Sequence, residues 1–195
     1  MADQLYVSYW LRGYNERNML AAFGEMLRKF PFSSSPPGAS TLRIHAIEYA
    51  EPVLLENCFE PPVRVEKVIE AASEFGSPDC AYLVSGYWDL WQNNDGWRLI
   101  PAPVQLACYG PAFQNELGDH LRVEVGLDTH FLPETNRQAG AGKVRSNIQG
   151  LLRLIHELDE ALPVERRNLW TESGENFAER LRDSLTTVTR ETLRG

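Results

Sequence analysis

The stretch from 120 to 131, HLRVEVGLDTHF, brings several reactive side chains into one short run. Strict alternation along a strand places Arg122, Glu124, Asp128 and His130 on one side. Leu121, Val123, Val125, Leu127, Thr129 and Phe131 then face the other. Asp128 and His130, two residues apart with Glu124 nearby, share the face that proton transfer or a divalent ion would require. One imidazole and two carboxylates fall short of a metal centre, because no second His or Cys is close in sequence. His45 and His156 belong to other predicted elements, so no metal and no cofactor is expected.

A second group is Gly140-Ala141-Gly142-Lys143, which opens a predicted helix with Arg145 just beyond. Unbonded amides at a helix start attract anions, and Lys143 and Arg145 add positive charge there. It is not a phosphate-binding loop of the nucleotide-hydrolase kind: that loop needs Ser or Thr directly after the lysine, and Val144 stands there. The patterns GxSxG, HExxH, a GxGxxG after a strand and paired Cys/His zinc ligands are all missing, so no catalytic residue is assigned.

The third group is aromatic. Alternation over residues 5–11 puts Leu5, Val7, Tyr9 and Leu11 on one face and Tyr6, Ser8 and Trp10 on the other. Pairing of this strand with the 120–131 strand would set Tyr6 and Trp10 beside Arg122. Trp88 would join from a central strand, with Trp91 and Trp97 near its turn. Rigid rings with a few charges suit recognition of a ligand or partner.

These groups need a scaffold, and the chain supplies one around residues 80–108. Two apolar, aromatic-rich runs flank Asn93-Asn94-Asp95-Gly96, and Asp-Gly between such runs predicts a hairpin because Gly accepts positive φ. Pro101 and Pro103 predict an edge or bent position for the second arm, since proline cannot donate to a ladder. Before the hairpin, strands are predicted at 5–11, 41–50 and 53–58. One helix carries Met19, Leu20, Phe23, Met26, Leu27 and Phe30 at helical spacing, and another carries Val65, Val68, Ile69, Ala72 and Phe75. The resulting order, β-α-β-β-α-β, is the ferredoxin-like one. After the hairpin come the 120–131 strand and two helices. Val144, Ile148, Leu151, Leu152, Ile155, Leu158 and Leu162 mark the first, closed by Pro163. Phe177, Leu181, Leu185 and Val188 mark the second, from about 173. The expected fold is α+β: a mostly antiparallel sheet of five to six strands in one domain, with 1–131 as sheet and two helices and 143–190 as a helical part. Glu165, Arg166 and Arg167, around the Pro163 break, are expected on solvated helix faces.

Composition bounds the function. The 195 residues carry a formal charge of −8, which argues against nucleic acid or an anionic membrane surface and suits a basic partner. No run approaches the ~18 apolar residues of a membrane span, and residues 1–13 lack a secretory pattern. Cys58, Cys80 and Cys108 are isolated from one another, which reads as reduced thiols in a cytoplasmic protein.

Two expectations follow. The first is a cytoplasmic, non-enzymatic binding protein whose aromatic and charged sheet face docks a protein partner or a second copy. The alternative is a small-molecule-binding protein or hydrolase for an anionic substrate. Its site would lie near the 139–145 loop, with Arg122 or Lys143 holding the anion and Asp128 with His130 moving a proton. The two C-terminal helices decide how much of this face is available: if they pack over it, its rings become core.

Overall fold

The computed structural model describes residues 2–33, 40–60, 64–132, 140–174 and 176–182. The strands are β1 (Gln4–Leu11), β2 (Ser40–Ala46), β3 (Leu55–Phe59), β4 (Cys80–Asn93), β5 (Trp97–Tyr109), β6 (Leu121–Leu127) and β7 (Val164–Thr171). Helices α1 (Met19–Lys29), α2 (Val65–Ser73) and α3 (Ala141–Ala161) are joined by α4, residues 177–182. Together they make an α+β fold on one open antiparallel sheet, ordered β3-β2-β4-β5-β6-β1-β7.

The central hairpin forms as its turn residues predict, with Asp95 and Gly96 both at positive φ. Two departures concern its neighbours. The element order through β4 is β-α-β-β-α-β, but β4 pairs with β2 and β5, while β1 pairs with β6 and β7. The ferredoxin-like arrangement would set β1 between the other strands of that unit, and here the hairpin and β6 separate them. Among the described residues the sheet has seven strands rather than five or six, because residues 164–171 form β7 instead of solvated helix faces. An edge strand tolerates Glu165, Arg166 and Arg167, and such charges discourage further chains from adding to the edge.

Prolines 101 and 103 sit within β5, a central strand. The reason is local: β6 reaches only Gln105–Cys108 of β5, so the prolines face no ladder on that side. The opposite edge of the projecting arm is covered by α3. Asn147 accepts the Trp91 amide at 2.9 Å through Oδ1 and donates to the Trp91 carbonyl at 2.9 Å and the His130 carbonyl at 3.0 Å. A buried side-chain amide thereby takes the place of a neighbouring strand.

The decisive packing feature is one-sided. Phe23 and Met26 of α1, Val68 of α2, Leu151 and Leu158 of α3, and Phe177 and Leu181 of α4 all join one cluster. That cluster holds Leu5, Val7 and Tyr9 of β1, Tyr82 and Val84 of β4, and Leu121, Val123 and Val125 of β6. Each large apolar side chain so buried stabilises by about 1.5–3 kcal/mol, which is why the amphipathic stripes converge here. Leu152 departs from its predicted stripe and is exposed. On the other face, among the described residues, a small cluster forms from Ala81, Leu83, Ala107, Tyr109 and Phe113 under the 110–119 loop.

Candidate functional site

The face opposite helices α1 to α4 carries the even-numbered side chains of β1, β6 and β7. Register fixes the neighbours: Tyr6 lies opposite Glu124 and Trp170, Ser8 opposite Arg122 and Asn168, and Trp10 opposite Arg166. Tyr6 and Trp170 stack with ring centroids 4.5 Å apart. The Arg122 guanidinium lies 5.1 Å from the Tyr109 ring and 5.7 Å from that of Trp170, while Tyr49 meets Tyr109 edge to face. Arg166 stacks on Trp10 at 3.7 Å. A run of planar groups thus crosses the sheet, each a face for cation–ring or ring–ring contact.

Arg122 is held by Asp119, whose side chain is fully buried. Its Nε donates to Oδ2 at 2.8 Å and its Nη2 to Oδ1 at 2.7 Å, the two-point geometry of a strong pair. The Ser8 hydroxyl also donates to Asp119 at 2.7 Å, and the Trp170 indole donates to Ser8 at 3.1 Å. The Tyr49 hydroxyl donates to that of Tyr109 at 3.0 Å. Beside this network the 48–50 and 114–117 segments, with Arg122 and Trp170, enclose a half-open cleft of about 670 Å³.

Further along β6, burial and then the Glu172 carboxylate push the Glu124 carboxyl above its usual range, against the pull of Arg122. Burial, with Glu124 and Glu172, likewise raises the Tyr6 hydroxyl. Beside Tyr6, the carboxylates of Glu124 and Glu172 thus act on one another and on the phenol, with Arg122 as the opposing charge.

Of the residues expected at the site, Tyr6, Trp10 and Arg122 share this face. Trp88 does not: it is buried on the helix side against Phe30 and Phe131, because its even position points to the core. Trp91 and Trp97 lie at the hairpin tip against the start of α3, where Lys143 Nζ sits 3.3 Å over the Trp91 ring. A Cβ on Gly140 would fall 2.3 Å from the Trp97 ring, so only glycine permits this approach. Arg145 is exposed on α3, and residues 139 and 133–138 lie outside those described.

Asp128 and His130 do not continue the row of Arg122 and Glu124. Gly126, at φ +95°, ends the regular strand, and Asp128–His130 form a 3₁₀ turn. Asp128 is buried there, accepting from the Asp3 amide at 3.0 Å and Arg180 at 2.9 Å. Both Asp128 oxygens are thus engaged by Asp3 and Arg180, and among the described residues no hydrogen bond joins Asp128 to His130. Among the described residues no group of three or more His, Cys, Asp or Glu could hold a metal. Cys58, Cys80 and Cys108 are free thiols, with Cys108 pushed up to about 12 by burial and Cys80 also raised, mainly by burial. No helix among the described residues is long and apolar enough to cross a membrane.

Trp170, Tyr109, Tyr49 and Asp119 were not legible as site residues. Trp170 sits at the end of VERRNLW, whose alternation pairs Arg166, Asn168 and Trp170; the charges hid the strand. Compared with protein families, curated proteins and solved structures, the chain shows no significant match to any.

Two imidazoles make folding pH-dependent. His120 accepts the Leu11 amide at 2.9 Å through Nδ1 and stacks on Tyr14, and His130 Nδ1 is buried without a hydrogen bond among the described residues. Burial lowers the pKa of both, outweighing nearby carboxylates. The unfolded chain then binds protons that the folded chain refuses, so stability is full above about pH 6.5 and declines below it. Glu124 works in the opposite sense: its raised folded value means stability is lost as pH climbs from about 4.5 toward that value. The urea midpoint is expected to be lower at pH 5.5 than at 7.5, with the difference reduced in His120→Asn, whose Oδ1 can still accept from Leu11. Equal midpoints at the two values would contradict the assignment.

Proposed function

We propose that this chain is a cytoplasmic protein-binding domain that docks a partner protein on the helix-free face of its sheet. One observation carries the reading: among the described residues helices α1 to α4 all pack on one side of the sheet, and Tyr6, Trp10, Arg122 and Trp170 lie partly exposed on the other. Rigid, partly exposed rings around a fixed guanidinium are the composition of interface anchors rather than of a solvated surface. A second copy is a poor occupant. A two-fold interface on this face would bring two copies of the patch holding Glu48, Glu116, Glu124 and Glu172 onto one seam, and like charges gathered across an interface are costly.

The test uses a photo-reactive benzoylphenylalanine in place of Asn168, which is exposed on this face opposite Ser8, or in place of Leu152, exposed on α3. Irradiation in living cells is expected to yield a discrete heterologous adduct from position 168 and none from 152. Adducts from 152 alone, from neither position, or only with a second copy of this chain would overturn the proposal.

A further inference from the structure

Resting on that docking surface, we infer that the cleft between Tyr49 and Trp170 receives a cationic side chain, arginine or lysine, from a basic segment of the partner. Arg122 is paired with Asp119, so its charge is already matched by a carboxylate. Its Nε and Nη2 each donate to Asp119, and its central carbon lies 5.1 Å from the Tyr109 ring and 5.7 Å from that of Trp170. The cleft floor is therefore close to neutral.

The rim is not. Glu48 and Glu116 line the opening, and among the described residues neither carboxylate has a hydrogen bond or an ion pair. Glu124 and Glu172 lie within electrostatic reach of Tyr6, whose ring stacks on Trp170. With Asp119 matched by Arg122, Glu48 and Glu116 at the opening and Glu124 and Glu172 beside Tyr6 are four further carboxylates near the Tyr49 and Trp170 side chains. Carboxylates at the rim with aromatic walls are how a guanidinium or ammonium is recognised. A cleft of about 670 Å³ is ample for such a side chain and its neighbours. The chain's charge of −8 would draw the same partner in from a distance.

The probe is the blocked tripeptide acetyl-Gly-Arg-Gly-amide, with the citrulline tripeptide as its neutral isostere, titrated into the full isotope-labelled chain. Expected are shifts in the Trp170 indole N–H and the amides of residues 114–117. Binding should be about tenfold weaker for citrulline, and about tenfold weaker in Glu48→Gln/Glu116→Gln. Both glutamates are exposed, so this variant keeps the fold. Raising salt should weaken the arginine peptide and leave the citrulline peptide unchanged. Equal binding of the two peptides, or shifts away from the cleft, would overturn the inference. If the peptide misses the cleft while the adduct at position 168 persists, the cation assignment falls and the docking surface stands. A seated peptide without any adduct removes the docking surface and the partner with it.

Discussion

Asp119→Ala should lower folding stability by about 3–5 kcal/mol, the penalty for leaving a buried charge without its partner. The Asp119 side chain is fully buried and that of Arg122 only 19% exposed, so water cannot take over the lost carboxylate. Ser8, which is buried, also loses its acceptor at 2.7 Å. For a chain of this length the melting temperature should fall by roughly 10 °C. Replacing both charges, as Asp119→Leu/Arg122→Met, should recover most of the loss, because two apolar groups need no compensation. A urea-denaturation cycle over the wild type, Asp119→Leu, Arg122→Met and the double variant measures the coupling. A single-variant cost under about 1 kcal/mol would place the pair in the class of solvent-screened surface bridges instead.

Gly110→Ala should destabilise by about 3 kcal/mol for a steric reason. A Cβ at that position would lie 2.3 Å from the Pro78 carbonyl oxygen and 2.9 Å from that of Cys80. Both are backbone atoms that cannot swing aside. The same carbonyls hold the segment in place: the Gly110 amide donates to Cys80 at 2.8 Å and the Ala112 amide to Pro78 at 2.7 Å. Making room for the methyl breaks or stretches both bonds, adding lost hydrogen bonding to overpacking. Gly110 also leads into the loop that carries Phe113 over Tyr109 and residues 114–117 along the cleft, so the arginine tripeptide should bind more weakly. Gly142→Ala is the control: nothing lies within 4 Å of its Cβ, and alanine favours the helix by up to ~1 kcal/mol. Urea midpoints that move together in the two variants would refute the steric account.

Local pattern alone was enough for the elements whose cause is local. The β4–β5 hairpin followed from Asp95-Gly96 between two apolar runs, and the stripes of α1 and α3 from 3.6-residue spacing. Alternation in 5–11 and 120–131 correctly sorted Leu5, Val7, Leu121 and Val123 from Tyr6, Trp10 and Arg122. It failed where one residue broke the period. Gly126 at positive φ removed Asp128 and His130 from the row, and the even register of Trp88 turned that ring into the core.

Long-range packing settled the rest, since nothing in VERRNLWT announces that it will pair with β1, and nothing in α3 says which side of the sheet it will cover. Those choices depend on how several apolar stripes share one core. They brought Tyr49, Tyr109, Asp119, Arg122 and Trp170, scattered over more than a hundred residues, around one cleft. Spacing along a chain reports the face of its own element, whereas a site made by five segments exists only once their pairing is chosen.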